Sequence, residues 1–414
     1  MAKRINERLL LLLIAIPLYL FLMWFAIRPL LGSLFFSPNE KALLSAISYD
    51  SRNATYHYLL GRFYHYSSEA PDLHKAISFY RESLRLSPLQ GGCWLDLSKA
   101  DQIAGLIKDA DREMERAMGL YPKNPAVRWE AGTFFLINGN IGMAVRSLKE
   151  FILLRPERQE TVYDMIWKLP LNPQYIVANL IPPSYPYYKR YLLYLTSTDR
   201  LQESKDLYEI MEGSEIEDAL FVRYTDFLIS KHLYEDAENI WNDLLKKKFW
   251  QREEQSSLPW DGSFELDILN GGFDWKVNET EGVDVFLDRD VHLFGKRSLG
   301  VTFDGAHNPD ISIASEVVRV VPKTRYILRG YIKTDSITTT NGLFLSIEGH
   351  DCRGFYKKSD VITGTNIWRE VYVEFQTPSD CTAISIKVRR DRSYKLDNKI
   401  GGTAWIDGIS LTQS

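Results

Sequence analysis

Seven histidines, His57, His65, His74, His232, His292, His307 and His350, are the side chains best suited to proton transfer near neutral pH, and they are scattered through a chain of 414 residues. The chain carries no HExxH, no P-loop, no GxSxG elbow and no nucleotide-binding glycine fingerprint. Carboxylates pair at Asp288 with Asp290 and at Glu253 with Glu254, the residue types that acid and base work on a glycoside needs. With no cleft to hold them they read as solvated surface charge. Three cysteines, Cys93, Cys352 and Cys381, match no metal motif; either a disulfide joins Cys352 to Cys381 or both are buried thiols. The expectation is a binding protein and not an enzyme. A net charge of −4 gives no reason to expect nucleic acid, and 45% hydrophobic with 25% charged residues is a globular composition.

The elements that would position a binding surface announce themselves by period. Pro88, Pro122 and Pro156 stand 34 residues apart, as do Ala76, Ala110 and Ala144, and Gly105 and Gly139 keep the same interval. Tyr80, Met114 and Leu148 each follow an alanine by four residues. Such a period predicts helix hairpins in which a small residue (Gly61, Ser98, Gly132) admits the second helix and proline stops it, because proline lacks an amide donor. A hairpin cannot bury its apolar face alone, so the units must stack. The first unit carries three extra residues near Glu69-Ala70-Pro71. The pattern resembles the tetratricopeptide repeat. That resemblance implies a concave groove lined by the first helix of each hairpin, here Tyr58, Arg62, Tyr66, Leu95, Lys99 and Trp129, suited to a peptide from a protein partner. The Lys and Asn pattern of carboxylate-clamp repeats is absent. Repeats extend over 54–251, clear to Pro156 and degenerate beyond, with Tyr187 to Met211 and Asp218 to Lys248 still reading as helix pairs and the prolines of 169–186 requiring short helices between.

Ahead of the repeats, Leu9 to Ile27 is an uncharged run of 19 residues, enough to span a bilayer as a helix. Residues 1–29 are read as a cytoplasmic tip and a single transmembrane anchor, against the alternative of a cleaved signal peptide. Lys3, Arg4 and Arg8 outweigh Arg28, which keeps the N-terminus in the cytoplasm and places the bulk of the chain outside the bacterial inner membrane. Residues 30–53 form a connector with one helix after Ser37-Pro38-Asn39.

Around Trp250 the composition changes, and from Phe264 helical periodicity gives way to alternation, as in Val371, Val373 and Phe375 against Tyr372 and Glu374. Many short strands separated by Asp304-Gly305, Asn341-Gly342 and Gly401-Gly402 predict a β-sandwich over 258–414. Asp261-Gly262-Ser263-Phe264-Glu265, Gly272-Phe273-Asp274-Trp275, Gly295 to Leu299, the strand Thr365 to Phe375 and the closing Thr403 to Leu411 resemble carbohydrate-binding modules of the galactose-binding-like jelly-roll type. The resemblance implies a structural calcium tying the first strand to the last through Glu265 and Asp407. It also implies a sugar site built from aromatic rings and a few polar groups, for which Trp275, Tyr356 and Tyr394 with His350, Arg389 and Arg390 are the candidates. Trp368 and Trp405, inside strand motifs, are expected in the core.

The fold class is therefore multidomain: a membrane helix, an all-α solenoid and an all-β jelly roll. The function expected is a membrane-anchored extracytoplasmic scaffold, its solenoid holding a protein and its sandwich a glycan, in bacterial surface polysaccharide assembly or export. Two alternatives stand beside it: a protein-interaction scaffold with no sugar ligand, and a glycan-acting enzyme without a recognisable site.

Overall fold

The computed structural model describes residues 2–34, 37, 39–67, 71–211, 213–249 and 258–414, and the chain divides into two compact units, Met1–Tyr194 and Leu195–Ser414. Glu253, Glu254, the insertion at Glu69-Ala70 and the composition change near Trp250 lie outside the described residues, apart from Pro71.

The first unit opens with α1 (Ala2–Leu34), which runs past Arg28, with Pro17 and Pro29 inside it. Leu12–Leu34 is the one stretch among the described residues long and apolar enough to cross a membrane, about 35 Å at 1.5 Å per residue. α2 (Glu40–Tyr49) starts at Asn39, whose side chain accepts the Ala42 amide at 2.9 Å. Three hairpins follow: α3 (Ala54–Tyr66) with α4 (Leu73–Leu86), α5 (Gly91–Ile103) with α6 (Ile107–Leu120), and α7 (Pro125–Ile137) with α8 (Ile141–Leu154). The second helices begin 34 residues apart, and each ends two residues before Pro88, Pro122 or Pro156. The periodic positions do what their sizes demand. Ala76, Ala110 and Ala144 are fully buried. A Cβ at Gly61 would come within 2.6 Å of the Tyr80 ring, and one at Gly132 within 2.6 Å of the Leu148 side chain. Gly105 and Gly139 take φ of +80° and +75° at the turn between helices, a conformation that costs glycine nothing. Beyond Pro156 come α9 (Gln159–Ile166), the seven-residue α10 (Pro173–Asn179) within the proline-rich stretch, and α11 (Tyr185–Ser197).

The second unit holds α12 (Leu201–Met211), α13 (Asp218–Ser230), α14 (Tyr234–Phe249) and two antiparallel five-stranded sheets. The strands are β1 (Lys276–Val277), β2 (Val283–Asp288), β3 (Ser298–Asp304), β4 (Ile311–Arg319), β5 (Arg325–Ile337), β6 (Phe344–Gly349), β7 (Tyr356–Lys358), β8 (Gly364–Gln376), β9 (Ala383–Arg390) and β10 (Gly401–Gln413). One sheet has the order β1-β4-β9-β6-β7 and the other β2-β3-β10-β5-β8. Their facing sides form one core that includes Leu299, Val301, Leu328, Ile332, Leu345, Ile347, Ile386 and Ile406. A disulfide joins Cys352 to Cys381, which resolves the choice that the sequence left open, and Cys93 is free and buried.

The α13–α14 hairpin packs on the first sheet. Asp226 accepts the Gly272 amide at 2.9 Å and the Lys276 ammonium at 2.8 Å, Arg319 donates to Glu238 at 2.6 Å, and the Trp241 ring occupies the space that a Cβ at Gly272 would need. These last repeat-like helices therefore group with the sandwich, because their apolar face, Trp241 included, is closed by strand-domain residues.

Candidate binding surfaces

Three of the groove residues converge. Tyr58, Arg62 and Tyr66 lie four residues apart on α3, one face of a helix. They meet at Asp96 on α5: Tyr58 donates to one carboxylate oxygen at 2.8 Å, Tyr66 to the other at 3.0 Å, and Arg62 Nε approaches to 3.3 Å. The guanidinium also lies 5.8 Å from the Tyr58 ring centroid and 5.6 Å from that of Tyr66. Burial, then the Asp96 charge, raises both phenols, so they remain donors throughout the physiological range. Tyr66 stays half exposed while Asp96 is buried, so the cluster presents aromatic edges and a cation on a fixed polar base. Sequence reasoning missed Asp96. Its signal is an acid set between Leu95 and Leu97, in the apolar first half of α5. Lys99 forms an ion pair with Glu130, and Trp129 packs at 5.2 Å on Phe151 of its own hairpin. Leu95 is partly buried against the core shared by α6 and the next hairpin. An open cleft of about 690 Å³ beside α4, near His57, Arg81 and Arg85, is lined by cations already paired to Asp101 and Glu82.

The sugar candidates do not converge. Trp275 is fully buried, packed at 5.1 Å on Phe264 with its Nε1 donating to the Asp261 carbonyl; it is core, because the segment before β1 folds under the sandwich. Arg390 is equally buried and donates to Asn308, Pro309, Asn341 and Asn398, holding loops together; burial lowers its pKa. His350 lies 3.1 Å from Ser385 Oγ, with its ring 6.0 Å from Tyr234 and 6.4 Å from His232, so it serves the hairpin contact, and burial lowers its pKa. Tyr356 and Arg389 share the outer face of the first sheet, but Arg389 is held by Asp310 at 2.5 Å and Asp391 at 3.4 Å. Tyr394 is 93% exposed on the loop before β10. The same outer face is closed further by Lys387 on Glu348, Lys358 on Asp391 and Lys358 over the Phe344 ring.

The two calcium candidates do lie in one region, around the loop from Val291 to Arg297. Calcium requires six to eight oxygens. Here Asp407 Oδ2 accepts the Leu293 and Phe294 amides at 2.7 and 2.9 Å, and Oδ1 accepts Gly408 N at 2.7 Å. Glu265 Oε1 accepts the Lys296 and Arg297 amides at 2.7 and 2.9 Å, in space that a Cβ at Gly295 would fill. The loop turns donors, not acceptors, toward both carboxylates, so the arrangement does not fit a cation. Each carboxylate instead clamps the loop directly. Burial raises the Asp407 carboxyl, and its three amide donors oppose that shift. Asp351, Cys352 and Cys381 also lie close together, but the sulfurs are joined to each other.

Trp368 and Trp405 depart from expectation in the opposite direction. Both are half-buried on the outer side of the second sheet, since the neighbours that alternate with them, Ile406 and Val371, face the core.

No family model matches the chain. A tRNA nuclease WapA of Bacillus subtilis (strain 168) is 26% identical over 158 residues, 36% of this chain, and the chain spans 7% of that relative's length. Among solved structures, YrrB, a TPR protein with an unusual peptide-binding site, covers 51% of this chain and 93% of its own at 14% identity and a TM-score of 0.27. The C-terminal family 22 carbohydrate-binding module of Clostridium thermocellum Xyn10B covers 39% and 97% at 17% identity and a TM-score of 0.27.

Proposed function

We propose that this chain is a membrane-anchored scaffold outside the cytoplasm of a bacterium, without catalytic activity, whose solenoid grips a segment of a protein partner and whose sandwich binds glycan during surface polysaccharide assembly or export. The observation that carries the reading is the Asp96 cluster: three groove side chains from α3 are held in one geometry by a buried acid from α5, which is pre-organisation for a ligand. Two further features support it. A disulfide suits an oxidising compartment, and the apolar side chains from Leu12 to Ile27 are left exposed among the described residues.

The test places a photo-crosslinking amino acid at Tyr66 in the full-length protein in its own membrane. A discrete adduct that disappears in Asp96→Ala, with folding retained, supports the reading. Crosslinks unchanged by Asp96→Ala would remove the groove from it. A reporter fused after Ser414 should be active only outside the cytoplasm. The scaffold without sugar remains the second reading, favoured by the ion pairs that close the outer face of the first sheet.

A further inference from the structure

The uncharged run from Leu9 to Ile27 is about 29 Å long as a helix, the thickness of a hydrocarbon core. With α1 as a membrane anchor, the polar layer of the bilayer then begins at Arg28. α1 continues from Pro29 to Leu34, about 9 Å further, and this stretch is docked. Arg28 Nη2 donates at 2.8 Å to the Ser48 carbonyl in the last turn of α2. A Cβ at Gly32 would lie 3.4 to 3.5 Å from the Ala46 carbonyl, the Asp50 Cβ and the Tyr56 ring. A guanidinium and the helix-end carbonyl it caps are too costly in hydrocarbon, which sets the boundary at this contact. The loop from α2 to α3 is therefore held at the depth of the lipid headgroups, a layer about 5 to 8 Å thick.

Contacts carry that level from one inter-hairpin loop to the next. Ser83 Oγ, near the end of α4, donates at 2.8 Å to the Ala54 carbonyl at the start of α3 and lies 3.0 Å from Gln90 Oε1, just before α5. Gly91 opens α5, and the Tyr121 ring after α6 occupies the space that a Cβ there would need. The exposed side chains along this edge include Arg52, Leu89, Tyr121 and Lys123, with Leu89 at 71%. The charge balance is positive. Arg28, Arg52, Arg85 and Lys123 stand against Asp50, which accepts from Asn53 Nδ2 at 3.4 Å, and Glu82, which pairs with Arg85 at 2.7 Å. Arg52 and Lys123 have no acidic partner among the described residues.

We propose that the inter-hairpin edge flanking the first two hairpins rests on the anionic headgroups of the membrane that holds α1. Arg52 and Lys123 meet lipid phosphates, and Leu89 and Tyr121 reach the boundary with the acyl chains. Aromatic rings and cations are the side chains that settle at that depth, and each cation near an anionic surface adds about a fivefold preference for it. Since α1 docks on α2 and α3, anchor and edge are two attachments of one unit, which holds the groove of Tyr58, Arg62 and Tyr66 at a fixed height above the bilayer. The proposal rests on reading Leu12–Leu34 as a membrane anchor.

The experiment reconstitutes the full-length protein in vesicles of phosphatidylcholine, alone or mixed with phosphatidylglycerol. A fluorophore is attached at Leu89→Cys or, as control, at Ile103→Cys, 67% exposed at the other end of α5 and about 18 Å from Gly91. Cys93 is buried and Cys352 is joined to Cys381, so the added thiol is the one that reacts. Lipid carrying a spin label on its headgroup should quench the Leu89 probe several-fold more than the Ile103 probe, and more strongly in the anionic vesicles. Arg52→Gln combined with Lys123→Gln should lower the ratio of docked to lifted protein about 25-fold and return the Leu89 signal to its value in neutral vesicles, with an unchanged melting temperature. Equal quenching at the two probes would overturn the headgroup contact, as would quenching at Leu89 that ignores both lipid charge and the double variant. Release of the protein from the vesicles by alkaline carbonate would instead refute the anchor, and the proposal with it.

Discussion

Replacing Glu113 with glutamine should make the solenoid more stable at alkaline pH. Glu113 on α6 shares a carboxyl–carboxylate hydrogen bond with the fully buried Asp101 on α5, whose other oxygen meets Arg81 at 3.0 Å. Burial first, then the Asp101 charge, pushes the Glu113 carboxyl from 4.5 up to about 8. The folded state therefore holds a proton that the unfolded chain releases. Stability from this group is complete below about pH 4.5 and is lost as the pH rises through about 8. At about 1.4 kcal/mol per pH unit, the interval sets a ceiling of about 5 kcal/mol. The two acids titrate as a pair and Arg81 offsets part of their repulsion, which brings the expected loss to about 2 to 3 kcal/mol. For a unit of this size that is roughly 5 to 10 °C in melting temperature. Full-length protein would be melted in detergent at pH 5.5 and 9, wild type against Glu113→Gln, following the tryptophans of the repeats. The drop between the two pH values should be larger in wild type by about two thirds of that amount, the share of the interval that lies above pH 5.5. Equal drops would mean that the carboxyl is solvated and that α5 and α6 do not close over it.

Gly132→Ala should destabilise the third hairpin by about 1 to 3 kcal/mol in a melting experiment, since the new Cβ meets Leu148, while Arg146→Ala on the exposed side changes little. Asp407→Ala should lower the melting temperature of the sandwich through the amides it strands, at about 1 to 3 kcal/mol, with chelator and millimolar calcium equivalent in wild type; a calcium-dependent rise would show that the loop from Val291 to Arg297 turns carbonyls inward. Arg390→Met should cost about 3 kcal/mol or more and raise amide exchange in residues 308–310 and 391–399, whose carbonyls lose their donor.

The sequence alone determined the features that depend on local volume and backbone chemistry. A 34-residue period in proline, alanine and glycine demands equal hairpins, because a helix without its amide donor stops and a buried contact between two helices admits only small side chains, as at Gly61 and Gly132. Alternation and turn glycines likewise specify strands, though not which sheet each joins. Side-chain roles were another matter. Tyr58, Arg62 and Tyr66 were legible as a stripe on one helix, but Asp96, which binds them together, comes from the next repeat. Trp275 and Trp405 have the same chemistry, yet one, just ahead of β1, is sealed in the core against Phe264 and the other faces outward on β10. Glu265 and Asp407 matched a calcium motif, and only the direction of the amides in the intervening loop made them clamps for that loop. In each case the deciding partner is more than ten residues away or belongs to a backbone whose orientation no side-chain pattern encodes, so burial and pairing were settled by tertiary packing.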